Sequence, residues 1–408
     1  MAVVGAGMAG LATAWFLQER GVRTTVLDRA GVAAGASWGN AGMLNPTLTV
    51  PLAEPGTLRA GLQGVLDPSS SITVPPQADM RLWRFLLQFA RHSRRSRWRR
   101  SMQIFNELNR RSLDAYAHLT ESGVTAPVKH RPLISAATSP AGLAPLVREI
   151  EEVVAVGGSA RYEQIGSDEL HAMEPALSDR VEAGLLLHDQ GYIDPPDYIA
   201  ALADAVRARG ARIVEDFDVS RVRDGGEAGV VLLSPAGHEL HADAAVIATG
   251  AWLNTLARPY GVRQVVQAGR GYSFTVRPDP IPRHPVHLPS QHLACNPLHD
   301  RFRITGTMEL RDPDSPAEPR RIEAMVAAAR PMFATVDWEA RREEWVGSRP
   351  CTPDGLPLVG PTTSPRVHIT GGHGMWGMVL GPVTGRLSAD LITGVPVPAW
   401  ASALNPLR

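Results

Sequence analysis

Cysteine is nearly missing from this chain of 408 residues. Cys295 and Cys351 are the only two, too few for a disulfide framework and without the paired spacing of a metal site. A reducing, cytoplasmic setting and no bound metal are therefore expected. Lysine is scarcer still: of 41 basic residues, Lys129 alone is not arginine. Net charge is absent as well, 41 basic residues balancing 41 acidic ones, so no overall field draws the chain to nucleic acid. The sequence also lacks an uninterrupted apolar stretch of about 18 residues, and a charged leader followed by an apolar run. The expectation is a chain neither secreted nor membrane-spanning. Internal repeats and low-complexity tails are missing too.

What the chain does have is glycine in particular places. Val3-Val4-Gly5-Ala6-Gly7-Met8-Ala9-Gly10 is followed by a helical apolar pattern from Leu11 to Phe16, then by Thr24-Thr25-Val26-Leu27-Asp28. Physically this reads as strand, tight turn, helix and second strand ending in a carboxylate. Gly5 permits the turn, Gly7 lets the backbone approach a pyrophosphate, and Gly10 lets the helix pack on the strand. Asp28 stands where a ribose-hydroxyl acceptor belongs. By itself the motif does not separate NAD from FAD. At this length two domains are expected rather than one.

Four later stretches carry the same signature of bare backbone. Gly31 to Met43 is a run of small residues that packs poorly as a helix or strand face but lies well against a flat ligand. Ala244 to Trp252 reads as a strand buried on both faces, ending in a small-residue turn. Trp345 to Pro357 is dense in turns. Gly371, Gly372, Gly374 and Gly377 precede a closing helix expected over about Leu380 to Thr393, so their amides point toward a ligand. Between these lie helices expected over Asp79–Gly123, Gly142–Val156, Asp194–Arg209 and Glu318–Met332, and strands over Val128–Ala137 and Val262–Val276. From Pro46 to Pro76, prolines and glycines prevent long regular elements. Arg91 to Arg100 places six arginines around Trp98, which suits a solvated basic helix face or an anionic membrane surface.

GAGMAG at 5–10, ASWGNAGM at 36–43, IATGAW at 247–252, GSRPCTPDGLPLVG at 347–360 and GGHGMWGM at 371–378 together resemble the D-amino-acid oxidase superfamily of FAD enzymes. Within it the chain is most similar to bacterial D-amino-acid dehydrogenases of the DadA type, with glycine and sarcosine oxidases more distant. The resemblance runs through nearly the whole chain in the same order. It implies an α/β fold: a Rossmann-like, glutathione-reductase-type FAD domain assembled from residues 1–50, 192–258 and 345–408. A mixed-sheet α+β substrate domain would come from 51–191 and 259–344.

The resemblance also implies a site. Gly5, Ala6, Gly7, Met8, Ala9 and Gly10 would hold the pyrophosphate of a non-covalent FAD, with Asp28 and Arg29 at the adenosine ribose. Ala36, Ser37, Asn40, Ala41, Gly42 and Met43 would run along the diphosphate and flavin. Val219 would face the adenine, Thr249, Gly250 and Trp252 would lie near the dinucleotide, and Gly374, Met375, Trp376, Gly377 and Met378 would meet the flavin. Arg349 matches the substrate-carboxylate arginine, whose planar guanidinium grips a carboxylate in two places. Tyr272 would cap the substrate, and His373 would stand in the flavin loop. The implied reaction is oxidative deamination of a D-amino acid or cyclic imino acid such as D-proline or hydroxyproline. A hydride passes from Cα to flavin N5 and the imine is then hydrolysed. A glycine- or sarcosine-type oxidase using O2, or a flavin subunit of a hetero-oligomeric dehydrogenase, are the alternatives. The sarcosine-oxidase lysine aligns with Trp376, which points to a quinone or another carrier as acceptor. The Arg91–Arg100 run suits peripheral docking at the inner face of the plasma membrane.

Overall fold

The computed structural model describes residues 1–54, 56, 72–75 and 77–408. The turn-rich stretch expected from Pro46 to Pro76 therefore lies partly outside the described residues.

The first strand is short because Gly5 ends it: Ala2–Val4, fully apolar, is buried at the centre of a six-stranded sheet. Its order is Arg212–Val214, Thr25–Leu27, Ala2–Val4, Ala245–Ile247, Val367–Gly371 and Leu358–Pro361, with the last strand alone antiparallel. Strands buried on both faces carry continuous apolar runs, as Ala2–Val4 and Ala245–Ile247 do. The helix Met8–Glu19 covers one face together with Pro195–Ala208 and Gly377–Thr393. The last of these crosses the first closely, because a β-carbon on Gly385 would press on the backbone of Ala12 and Thr13 at under 3 Å. A three-stranded antiparallel ribbon, Arg221–Asp224, Val230–Leu233 and Glu239–Ala242, hangs beside the sheet.

The second large sheet is mixed and runs in the order Arg342–Cys351, Gln267–Val276, Phe302–Leu310, Leu293–Pro297, Val286–Leu288, Leu133–Ala137, Ala183–Leu187 and Tyr162–Gly166. Ile72–Thr73 joins it through Phe302–Leu310. One long strand, Arg342–Cys351, thus belongs to this sheet and delivers its C-terminal end to the first. A boundary at residue 345 would cut that strand; the chain leaves the second sheet only after Cys351.

Most expected elements form with small shifts at their ends. The stretch expected as one helix over Asp79–Gly123 is two, Met80–His92 and Arg95–Glu121. The break falls at Ser93, whose hydroxyl donates to the Phe89 carbonyl and competes with the helical pattern. Asp194 precedes the helix Pro195–Ala208 but makes no side-chain cap. No helix among the described residues is long and apolar enough to cross a membrane.

Candidate active site

The site forms where loops at the carboxyl ends of the parallel strands meet the end of Arg342–Cys351. Gly5 carries φ +117°, which a side chain disfavours, and a β-carbon there would collide with the Ala248 carbonyl. On Gly10 it would collide with the Gly5 carbonyl. Gly7 differs: its missing side chain faces only Ser37 Oγ, at 3.1 Å from an added β-carbon. The turn thereby presents bare backbone and a helix N-terminus to a cavity of about 420 Å³.

Asp28 lies at the rim of that cavity. Its Oδ2 accepts from the Ala6 amide at 2.8 Å, while Oδ1 accepts from Ala30 and Gly31 at 3.0 and 3.1 Å. The carboxylate so fixes the glycine turn relative to the second strand. The cavity continues along Ala36, Ser37 and Asn40, under Val219, and past Thr249, Gly250 and Trp252 to Gly374, Met375, Gly377 and Met378. Arg29 stacks on the Trp252 ring at 3.8 Å, and Trp252 Nε1 donates to Asp314 at 2.9 Å. Thr249 lines this space, and its buried Oγ1 has no hydrogen-bond partner among the described residues.

Arg349 and His373 reach the same cavity from other directions. Alternate residues of a strand face opposite sides of its sheet. Trp345, Gly347 and Arg349 share one face, and Gly347 is paired with Gly271 on the neighbouring strand. Arg349 fills the room left by Gly271, where a β-carbon would overlap its guanidinium. Among the described residues no carboxylate pairs with it, and burial pulls its pKa down from the ordinary value. A cation held in such a place without a counter-ion is built for an anionic ligand. His373 Nε2 lies 2.8 Å from Thr384 Oγ1, whose hydroxyl donates to the Leu380 carbonyl, so the imidazole N–H is the donor. Burial lowers the His373 pKa to about 4 and keeps the ring neutral near pH 7.

Other expected residues fall outside the cavity lining. Tyr272 is one residue out of phase with Gly271 and projects from the opposite face of the sheet into the core. Its hydroxyl donates to Glu309 at 2.7 Å and accepts from the Glu318 amide at 3.0 Å, which commits it to the interior. Ala6 and Gly10 form the turn beneath the lining. Ala41, Gly42 and Met43 turn away: Ile193 N donates to the Gly42 carbonyl, and Met43–Leu44 pairs with Gly191–Tyr192. Trp376 also points elsewhere, Nε1 donating to the Val50 carbonyl at 2.7 Å.

Arg303 belongs to none of the motifs. It is fully buried; its Nη1 donates to the carbonyls of Trp38 and Asn40 at 2.7 and 3.4 Å, and its Nη2 to Glu343 at 3.1 Å. Between these two carbonyls, the Trp345 ring occupies the place of a Gly39 side chain. The second sheet thus holds three consecutive residues of the loop that lines the cavity. Phe217, Thr255 and Thr370 also line it without having stood out in any motif.

A glycine turn at a helix N-terminus, an acidic residue ending the second strand and a long cleft between two sheets define a dinucleotide-binding protein. The family model described as DAO, FAD dependent oxidoreductase, matches residues 1–391, and the chain belongs to that family. A D-amino acid dehydrogenase of Rhodopseudomonas palustris (strain HaA2) is 28% identical over 425 residues, covering 100% of this chain and 97% of its own. One from Methylobacterium nodulans is 30% identical, covering 96% and 94%. Glycine oxidase from Geobacillus kaustophilus superposes with a TM-score of 0.75 at 24% identity, covering 100% and 98%. FAD is the cofactor of the family. The exposed glycine turn and the rim carboxylate fit it. Cys295 and Cys351 are both buried outside the cavity lining, which leaves no thiol placed to bond the flavin.

Proposed function

We propose that the protein oxidatively deaminates a D-amino acid or a cyclic imino acid, with Arg349 holding the substrate carboxylate. The observation that carries this reading is a guanidinium without a carboxylate partner among the described residues, lining the same cavity as the glycine turn. The D-amino acid dehydrogenases similar along the full length support the substrate class.

When bound, FAD supplies the two-electron acceptor. This chain's part is to hold, orient and keep dry. Gly7 and Ala9 would present backbone amides to the diphosphate, and Ser37, whose Oγ accepts from the Met8 amide at 3.3 Å, and Asn40 would continue that contact. The Arg349 fork fixes the carboxylate at two oxygens and so sets the direction of the Cα–H bond. His373, neutral and tied to Thr384, orders the Gly374–Met378 loop rather than moving a proton. An amine that arrives unprotonated needs no protein base. Tyr272 has no part in this reading.

The division into 1–50, 192–258 and 345–408 against 51–191 and 259–344 is kept as a proposal, with the boundary at 345 moved to follow Cys351. We propose a quinone or another carrier rather than O2 as electron acceptor. An indole held by the Val50 carbonyl, not a cationic side chain, stands at position 376. The setting would be the cytoplasm, at the inner face of the plasma membrane.

The test is anaerobic mixing of the purified holoprotein with D- and L-amino acids, imino acids and N-methylglycine, following the loss of flavin absorbance. Bleaching by D-amino or imino acids is the expected result. Bleaching by none of them, with FAD bound, would sink the reading.

A further inference from the structure

The three most exposed large apolar side chains among the described residues lie on one helix, Met80–His92: Met80 at 82%, Trp83 at 58% and Leu87 at 58%. Spacings of three and four put them on a single face. The opposite face buries Leu82, Phe85 and Phe89, so the helix is anchored without these three. Asp79 caps its start by accepting from the Arg81 amide at 2.7 Å.

Beyond the Asp79 cap, the chain that carries this ridge has charge of one sign. From Met80 to Asn106 the sequence has eight arginines and no acidic residue. All eight are exposed, and Arg95 bonds Glu152. Trp98, the aromatic residue inside the arginine run, is buried in the core and is not part of this surface.

We propose that the helix Met80–His92 docks the protein on an anionic lipid bilayer. Met80, Trp83 and Leu87 enter the boundary between headgroups and acyl chains, and the neighbouring arginines meet lipid phosphates. A convex ridge of three apolar side chains has no shaped recess for a protein partner, whereas a fluid bilayer conforms to it. Tryptophan and arginine are both suited to that interface. Three side chains bury too little apolar area to hold the protein alone, and the arginines supply the remainder.

The location fits a redox role. The buried face of the helix shares a core cluster with Cys351, two residues from Arg349, and with Met375, which lines the cavity. Docking there brings the cavity near the lipid. This last point rests on the proposed function; the docking itself does not.

The experiment is co-sedimentation of the FAD-loaded full chain with vesicles of phosphatidylcholine alone, or of phosphatidylcholine with phosphatidylglycerol. Binding to the anionic vesicles only, weakened by salt, is expected. The M80S/W83S/L87S variant, altered only at exposed positions, should lose at least tenfold in partitioning while keeping its turnover with a soluble dye. Each arginine changed to glutamine among Arg91, Arg94 and Arg97 should cost roughly fivefold. Equal partitioning of the triple variant would overturn the proposal, as would absence of binding to anionic vesicles. So would a dimer in solution that the triple variant abolishes, which assigns the ridge to a second copy. Vesicle binding without amino-acid turnover would remove the proposed function and leave the docking surface standing.

Discussion

The guanidinium of Arg349 lies over the α-carbon of Gly271 on the adjacent strand, in space that any side chain at 271 would take. A hydrogen in place of a methyl group is therefore a condition for the position of the carboxylate-binding group. Gly271→Ala should displace the guanidinium while leaving FAD bound. We expect kcat/KM for a carboxylate substrate to fall by roughly a hundredfold, the cost of about an ångström of misplacement. Steady-state kinetics with a dye acceptor measures it, and unchanged kcat/KM would show that Arg349 is not the anchor.

Removing the cation tests the same assignment directly. Arg349→Ala should retain the flavin spectrum and weaken substrate binding by roughly 3 to 5 kcal/mol, as loss of one member of a buried charge pair does. Titration of flavin absorbance with a non-reactive carboxylate provides the affinity. An affinity equal to wild type removes Arg349 from the site.

For Tyr272 the expected consequence is thermodynamic. Its hydroxyl is placed between Glu309 and the Glu318 amide in the core. Tyr272→Phe leaves both with one partner fewer and should destabilise the fold by about 1–3 kcal/mol. KM should not change. Denaturant unfolding and kinetics on the same preparation separate the two effects, and a raised KM at unaltered stability would restore Tyr272 as a substrate contact.

Arg303 joins the second sheet to the loop at Trp38–Asn40. Arg303→Met would remove one of the two arginines on Glu343, leaving Arg301 at 3.1 Å, and free two carbonyls, and we expect a loss of about 1–3 kcal/mol. Because the loop lines the cavity, FAD should also dissociate more readily. Comparing flavin retention on desalting with the thermal midpoint checks this; loss of stability with full retention would confine Arg303 to the core.

The pH dependence of stability follows from buried histidines. Burial lowers His287 and His373 to about 4, whereas the unfolded chain titrates near 6.5. Between these values the unfolded state binds protons that the folded state does not, so stability falls as pH falls. Their contribution, up to about 3 kcal/mol each, is complete above about pH 6.5 and lost toward pH 4. Urea midpoints measured from pH 7 to pH 4 should fall steadily, and a flat profile over that range would contradict the burial of both rings.

Local chemistry sufficed for much of this molecule. The glycine turn, Asp28, the small-residue loop, the buried strand ending at Gly250 and the GGHG turn are all legible in sequence, because each depends on residues within one or two turns of chain. Arg349 was recognisable from its motif. Tyr272 is one residue out of phase with Gly271, and only the pairing of Gly271 with Gly347 shows which way that ring points. The direction of Trp376 likewise depends on a carbonyl 326 residues away. Arg303 had no signal at all, since a buried arginine looks like any other until the loop it holds is brought beside it. Sequence set which backbone segments can approach a ligand, for that is a matter of side chains left out. Tertiary structure alone decided which side chains face it, because facing depends on register between distant strands.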